Sequence, residues 1–355
     1  MKIGLIGLSG VGKTTIFNLL TNTQATTGVY GAKEINIGMA KVPDTRMDYL
    51  IELYRPKKTS FAQIEFIDIV GVVPEGGSRK FLDDVRDCDA IVHIVRAFDN
   101  PDVPHVTETI APLQDLETVD MELLFADLEL LEKRIERIKT GKKIKKEQQE
   151  ELILLERLYQ HLEAGGDIRQ VDLSEDEEKQ LRAYSFLTEK PKLVVVNVDE
   201  NQLKNNDFTQ KSELNQFCKQ KDMPLIEICG QIEAEIGQLS EEDKSLFMED
   251  LGISETGIER LARAVYEHLG LISFFTVGED EVKAWTINKE TPAKKAAGKI
   301  HSDIERGFIR AEVVKYHDLN KLGSMVKVKE QGLFRLEGKE YIVEDGDIIN
   351  FRFNV

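Results

Sequence analysis

The sequence predicts an α/β protein: a doubly wound, mostly parallel sheet, interrupted by an inserted antiparallel helical hairpin and followed by a smaller C-terminal α+β domain. Three observations carry this. Strand-sized apolar runs alternate with helical or loop segments over residues 1–117 and 189–270, the pattern of βαβ units whose ligands gather at the carboxyl ends of the strands. Residues 118–188 switch to a leucine-rich stripe of helical period. From 271 to 355 the order becomes strands, helix, strands, over an ordinary domain length.

The elements follow in order. Lys2 to Gly7 (KIGLIG) is short, apolar and β-branched, and leads through a glycine-rich turn into Thr14 to Leu20 with helical periodicity. Further buried strands are predicted at Gln63 to Asp68, Ala90 to Ala97, Lys192 to Val198 and Pro224 to Cys229. Leu124, Leu128, Leu131, Ile135 and Ile138 recur at spacings of four and three, and after Gly141 Leu152, Leu155, Leu158 and Leu162 resume the stripe, which predicts two antiparallel helices. Asp167 to Gln180 is acidic and polar and leads out of the hairpin. Thr291 and Pro292 read as an N-cap and a first helical residue, before an apolar face of Ala293, Ala296, Ala297, Ile300 and Ile304. Ile309, Ala311 and Val313 then alternate, as do Ile349, Phe351, Phe353 and Val355 after an Asp345–Gly346 turn. His93, inside a strand, reads as a satisfied core residue.

The 355 residues carry 47 Lys+Arg against 64 Asp+Glu, a net charge of −17. From Leu271 onward 14 basic residues balance 14 acidic ones, so the acidity lies upstream. That acidic bulk, with no readable motif, argues against sequence-specific DNA binding. A composition of 41% hydrophobic and 31% charged residues is that of a folded globular chain and not of a disordered one. The longest apolar runs, Ile91 to Val95 and Leu193 to Val196, are far shorter than a bilayer span, so no membrane segment is expected. Cys88, Cys218 and Cys229 are widely spaced and odd in number, against a disulfide framework or a paired-cysteine metal site. The N-terminus lacks the features of a secretory leader, and the expected compartment is the cytoplasm.

One motif carries chemistry. Gly7-Leu8-Ser9-Gly10-Val11-Gly12-Lys13-Thr14 matches the phosphate-binding loop pattern between a predicted strand and a predicted helix, the context that pattern requires. Its glycines let backbone N–H groups approach phosphates, and the helix N-terminus favours an anion. Ser9, Gly10, Val11, Gly12, Lys13, Thr14 and Thr15 are therefore expected to bind nucleotide. Lys13 has the catalytic role of neutralising β/γ-phosphate charge, and the Thr14 hydroxyl ligates Mg²⁺. Asp68-Ile69-Val70-Gly71 ends a later strand. There Asp68 is a second metal-binding candidate and the Gly71 N–H can sense the γ-phosphate. Val72 follows, where Ras-like enzymes place a water-orienting Gln; a valine cannot polarise water.

Asn197-Val198-Asp199-Glu200 follows another apolar strand, where guanine-specific enzymes carry N-K-x-D. With Val198 for the lysine and the longer Glu200 for the aspartate, strict guanine selection is not expected. Asn197, Val198 and Glu200 are expected to frame the base. Cys229 and Gly230, in Cys229-Gly230-Gln231, stand at the place of the last base-contacting loop.

These residues and others along nearly the whole chain resemble the YchF family of Obg-related P-loop ATPases. The resemblance runs through KFL at Lys80, VHIVRAF at Val92, NVDE at Asn197, IEAEI at Ile232, GLISFFT at Gly270, VKAWT at Val282, IHSDIERGFIRAEVVKY ending at Tyr316, and RLEGKEYIVEDGDIINFRFNV from Arg335. It implies that the C-terminal strings form a TGS domain, a β-grasp module. It implies a preference for ATP over GTP, Mg²⁺ as cofactor, and a ribosome- or ribosomal-RNA-associated, stress-related regulatory role with slow turnover. It also implies that a hydrophobic residue, here Val72, stands for the catalytic Gln, while a downstream loop histidine, here His105, assists hydrolysis. A histidine is suited to that work near neutral pH.

The chain departs from the family in places. The family loop usually reads G-L-P-N-V-G-K-S, and Gly10 removes the Asn that some related NTPases use to hold K⁺. Ala32 stands for the Mg²⁺-sensing Thr of the first switch, with Thr26 and Thr27 as the nearby hydroxyls, and the stretch between Gly71 and Lys80 is short. Lys139, Lys142, Lys143, Lys145 and Lys146 around Gly141 read either as a solvated hairpin turn or as a ribosome-facing tip. A nucleotide-occupancy-dependent binding protein with little turnover is the alternative function. A small-metabolite kinase would need a basic Arg-rich lid, and no such cluster is found.

Overall fold

A computed structural model of the chain describes residues 1–25, 35–71, 79–107, 109–141, 144–250 and 252–354. Val72, Thr26, Thr27, Ala32, Lys142, Lys143 and Val355 lie outside the described residues. Two compact units are formed, Met1–Gly38 with Glu65–Gly257, and Met39–Ile64 with Ile258–Val355. The second therefore takes in a segment, 39–64, that the sequence reading leaves in the nucleotide-binding part. In chain order the strands are β1 (Lys2–Ile6), β2 (Asn36–Lys41), β3 (Lys58–Ser60), β4 (Gln63–Asp68), β5 (Ala90–Arg96), β6 (Lys192–Asn197), β7 (Leu225–Ile228), β8 (Leu271–Thr276), β9 (Glu281–Asn288), β10 (Phe308–Lys315), β11 (Arg335–Glu337) and β12 (Asp347–Phe353). Among the described residues no helix is long and apolar enough to cross a membrane.

The first unit is built on a sheet of order β2-β4-β1-β5-β6-β7. β1 pairs in parallel with β4 and β5, β5 with β6, and β6 with β7. All seven residues of β5 are buried, as the continuous apolar run AIVHIVR requires of a parallel strand covered on both faces. The five strands predicted from apolar runs in this part are β1, β4, β5, β6 and β7. β2 was not predicted, because its residues are alternately half-buried and exposed until Ala40. Parallel pairing brings the carboxyl ends of β1, β4, β5, β6 and β7 to one edge, where a ligand site belongs.

The helical hairpin consists of Pro112–Lys139 and Lys146–Glu163. Leu131, Ile138, Leu155, Leu158 and Leu162 of the predicted stripe form its core with Leu154, Ile168, Leu181 and Phe186, and Leu124, Leu128, Ile135 and Leu152 pack against it. Ser174 closes a capping box on the short helix Glu175–Leu181, giving the acidic exit segment a helical turn. His93 is a correction. It is fully buried in β5, but neither ring nitrogen has a hydrogen-bond partner, and Asp120 Oδ1 lies 3.8 Å from Nδ1. Burial drives its pKa down to about 3, so the ring is a neutral core group.

The second unit has the order β11-β10-β12-β8-β9-β3. β8 and β9 form an antiparallel hairpin, β12 pairs parallel with β8 and antiparallel with β10, and β10 pairs antiparallel with β11. First and last strands side by side at the centre, with the intervening helix on one face, make a β-grasp sheet. β3 extends it by parallel pairing with β9. Helix Ala293–Ile300 packs on the core through Ala293, Ala296 and Ala297, all with no exposed surface; side chains this small let the helix axis approach the sheet.

Three sequence expectations are adjusted here. Pro292 is itself the N-cap, and the Thr291 hydroxyl turns back to Asn288 O at 2.7 Å. Ile309 is 54% exposed although Ala311 and Val313 are buried. The β10–β12 register shifts between Phe308 and Arg310, so Ile309 is an extra residue that breaks the period-2 alternation. Phe353 is likewise exposed, at the end of β12. The turn at Asp345–Gly346 is held by buried Asp347, whose carboxylate accepts from Lys315 Nζ at 2.7 Å, Tyr341 OH at 2.8 Å and the Glu344 N–H at 2.9 Å.

Candidate nucleotide site

A cleft of about 690 Å³ opens at the carboxyl edge of the first sheet. Of the residues singled out from sequence, Ser9, Gly10, Gly12, Lys13, Thr14, Thr15, Asp68, Gly71, Asn197, Val198, Cys229 and Gly230 line it. Val11, Glu200 and His105 do not. Phe98, Asp99, Asn100, Asp102, Val103, Asp199 and Gln231 line it without having been assigned a role.

The loop after β1 is shaped by backbone that side chains resist. Gly12 has φ +95°, and a Cβ there would fall 2.3 Å from Asn197 Nδ2, so only glycine admits both the conformation and the neighbour. Helix Lys13–Thr21 starts immediately after it, with the unpaired N–H groups of its first turn at the cleft. The Lys13 ammonium folds back to Leu8 O at 2.8 Å and is buried. Desolvation lowers its pKa to about 8, with Asp68 opposing the shift. Gly71 sits against the same loop: a Cβ there would lie 2.8 Å from Lys13 Nζ and 3.0 Å from Ser9 Cα.

Thr14 Oγ1 donates to Asp68 Oδ2 at 2.7 Å, and Asn36 Nδ2 reaches the same oxygen at 3.3 Å. Asn36, at the start of β2, closes the stretch Ala32-Lys33-Glu34-Ile35-Asn36 that aligns with the family's first switch, but the sequence reading gave it no role. A hydroxyl and a carboxylate so placed are the hard donors that Mg²⁺ takes from protein when substrate phosphates complete its shell. Among the described residues no group of three or more His, Cys, Asp or Glu side chains is placed to hold a metal ion.

At the other end, Asn197 ties two loops together. Its Nδ2 donates to Val11 O at 3.0 Å and its Oδ1 accepts from the Gly230 N–H at 3.2 Å. Val11 is thus buried beneath the loop, with its carbonyl held by Asn197. Asp199 is the N-cap of helix Glu200–Asn205, its carboxylate accepting from the Gln202 N–H at 2.9 Å. Glu200, one residue further, points along the outer face and pairs with Lys204 at 2.6 Å. Burial pushes the Cys229 thiol up, leaving it a neutral, unreactive cleft wall.

The loop after β5 is fastened from beneath. Buried Arg96 donates to the carbonyls of Phe98, Val103 and Asn100 at 3.0, 2.8 and 3.2 Å, and a Cβ on Gly10 would lie 3.4 Å from Val103 Cγ1 and 3.5 Å from Pro104 O. The segment just before His105 therefore rests on the phosphate loop. His105 itself turns away: Nε2 lies 2.9 Å from Asp115 Oδ2, and the Thr107 N–H donates to Nδ1 at 3.3 Å. With Nδ1 accepting, Nε2 carries the proton and donates to Asp115. Burial raises the Asp115 carboxyl, opposed by the contact with His105.

Residues 271–354 match a profile of the C-terminal domain of YchF GTPases, described as a protein of unknown function, and residues 2–155 match one described as a 50S ribosome-binding GTPase. The "Ribosome-binding ATPase YchF" of Bacillus subtilis is 43% identical over 364 aligned positions, covering 100% of both chains. The chain belongs to the YchF family. The proteins of the same name from Haemophilus ducreyi and Escherichia coli O157:H7 are 42% and 39% identical over 100% of this chain and 99% of their own length. The solved Schizosaccharomyces pombe YchF GTPase superimposes with a TM-score of 0.88 at 31% identity, covering 99% of this chain and 97% of that one. A GTP-binding protein from Pyrococcus horikoshii, at 18% identity and TM-score 0.61 over the full length of both chains, shares the fold.

Proposed function

We propose that this YchF protein binds and slowly hydrolyses ATP with Mg²⁺ in the cytoplasm and uses the nucleotide state to regulate its association with the ribosome. The observation that carries this is the cleft itself: one edge of one sheet brings together the phosphate loop, the Thr14–Asp68 pair, Gly71 and the Asn197 bridge. Ser9 to Thr15 hold the phosphates through backbone N–H groups, and Lys13 neutralises their charge. Thr14 and Asp68 would hold Mg²⁺, which when bound would supply positive charge to the phosphates. Gly71 senses the γ-phosphate. The relatives' printed name supplies the ribosome as partner and ATP as substrate. The three-part organisation of sheet domain, inserted hairpin and TGS-like domain belongs to the same proposal, with the TGS-like part and the hairpin presenting the ribosome-facing surface.

His105 is assigned to the attacking water. Its chain position, directly after the Val103–Pro104 contact with Gly10, favours that role, and it requires the ring to exchange Asp115 for water. Steady-state ATP hydrolysis at pH 7 tests this. His105→Ala should lower turnover at least tenfold, within the range of a general acid–base group, with ATP affinity retained. Equal turnover in the two proteins would remove His105 from the mechanism.

The His105–Asp115 contact also favours a second reading, in which occupancy alone sets partner affinity. Ribosome pull-down with ATP, ADP and a non-hydrolysable analogue separates the two, since occupancy alone makes ATP and the analogue equivalent over long incubations.

A further inference from the structure

We propose that Gln231 reads the base, its side-chain amide pairing with the N6/N7 edge of adenine. The inference rests on the cleft being a nucleotide site and deepens that reading. With the phosphates on the loop after β1, the loop after β7 lies three strands away in the order β1-β5-β6-β7. The Asn197 bridge draws the two loops together beneath the cleft, with a Cβ on Gly230 3.7 Å from Thr15 Cγ2, so a nucleotide with its phosphates on the loop after β1 meets the ends of β6 and β7 with its remaining part. The base end is therefore the wall formed by the ends of β6 and β7.

Asn197, Asp199 and Gln231 are the amide and carboxylate side chains on that wall. Asn197 commits one Nδ2 N–H to Val11 O and one Oδ1 lone pair to the Gly230 N–H, which fixes its amide as the bridge between the two loops. Asp199 Oδ1 caps a helix by accepting from the Gln202 N–H, and Glu200, at the position of the guanine-accepting aspartate, is turned to Lys204. Gln231, in the first turn of helix Gly230–Ile236, makes one long contact, Nε2 to Glu235 Oε1 at 3.4 Å, and is solvent-exposed. Among the described residues its carbonyl oxygen accepts from no protein group.

A primary amide sets an acceptor beside a donor. Adenine sets the N6 donor beside the N7 acceptor, and a Gln amide matches both. Guanine offers two acceptors, O6 and N7, at that edge, so the same amide makes at most one bond. The chain thereby gains an adenine preference from the loop after β7 where Glu200 has turned away.

Equilibrium titration of wild type and Gln231→Ala with ATP, 7-deaza-ATP, purine riboside triphosphate (which lacks the 6-amino group) and GTP tests this. Wild type should bind ATP about 3- to 20-fold more tightly than either adenine analogue, each of which removes one of the two bonds of the pair. Gln231→Ala should bind ATP, 7-deaza-ATP and purine riboside triphosphate alike, and GTP within about threefold of wild type. A variant that keeps the wild-type discrimination overturns the assignment and leaves the nucleotide site intact. Failure of wild type to bind any of the four overturns the site and the assignment together.

Discussion

Asn197→Ala should both destabilise the protein and abolish tight nucleotide binding. The side chain is buried and is the shared partner of Val11 O and the Gly230 N–H. Truncation leaves both backbone groups unpaired at a buried position, at about 1–3 kcal/mol each. The expected loss is about 2–4 kcal/mol, a fall in melting temperature of roughly 5–15 °C for a unit of this size. Binding should suffer more than stability alone implies, because Asn197 is what holds the phosphate loop to the loop after β7. Asn197→Asp should rescue only half, since a carboxylate accepts from Gly230 but cannot donate to Val11. Thermal melts with nucleotide titrations check this; an alanine variant within 2 °C of wild type that still binds ATP would contradict the bridging role.

Lys13→Ala should weaken nucleotide binding on the order of 10²- to 10³-fold, the effect of removing a buried charge from an ion pair. The lysine adds a pH signature. In the free protein its pKa is lowered to about 8 by burial, so it is charged below that value and neutral above it. A bound triphosphate favours the ammonium and raises the pKa. Binding above pH 8 must therefore take up a proton, and affinity should fall by up to tenfold per pH unit from about pH 8 to the bound-state pKa. Below pH 8 it should be flat as far as this group is concerned. Titrations at pH 7, 8 and 9 in wild type and Lys13→Ala check it, and a slope that survives in the alanine variant would assign the proton to another group.

How much of this was legible follows from where the signal sits. β1, β5 and β6 announce themselves because a strand covered on both faces needs an unbroken apolar run, and the phosphate loop because its geometry demands glycine at fixed places. β2 exposes Ile37 and Met39 and buries only Ala40, β3 is three polar residues long, and nothing in Lys58–Ser60 says that it will add to β9. Ile309 looked like a core residue until a register shift displaced it. In the site, Asn197 was recognisable by its place after β6. Which of Asp199 and Glu200 meets the cleft was not, because the N-cap position of a six-residue helix decides it: the cap faces back toward the strand and the next residue faces out. The turning of His105 toward Asp115 depends on how the loop after β5 docks on helix Pro112–Lys139, a tertiary contact with no local pattern.

The central claim is that this cleft selects ATP. Competition between ATP and GTP for wild-type protein with Mg²⁺ at pH 7, read by displacement of one fluorescent nucleotide, tests it most directly, because the printed names of the relatives divide between ATPase and GTPase. ATP should displace the probe at concentrations at least tenfold lower than GTP, as expected when the carboxylate at the guanine-accepting position, Glu200, is paired with Lys204 outside the cleft and an amide awaits adenine. Displacement by GTP at the lower concentration would contradict the account.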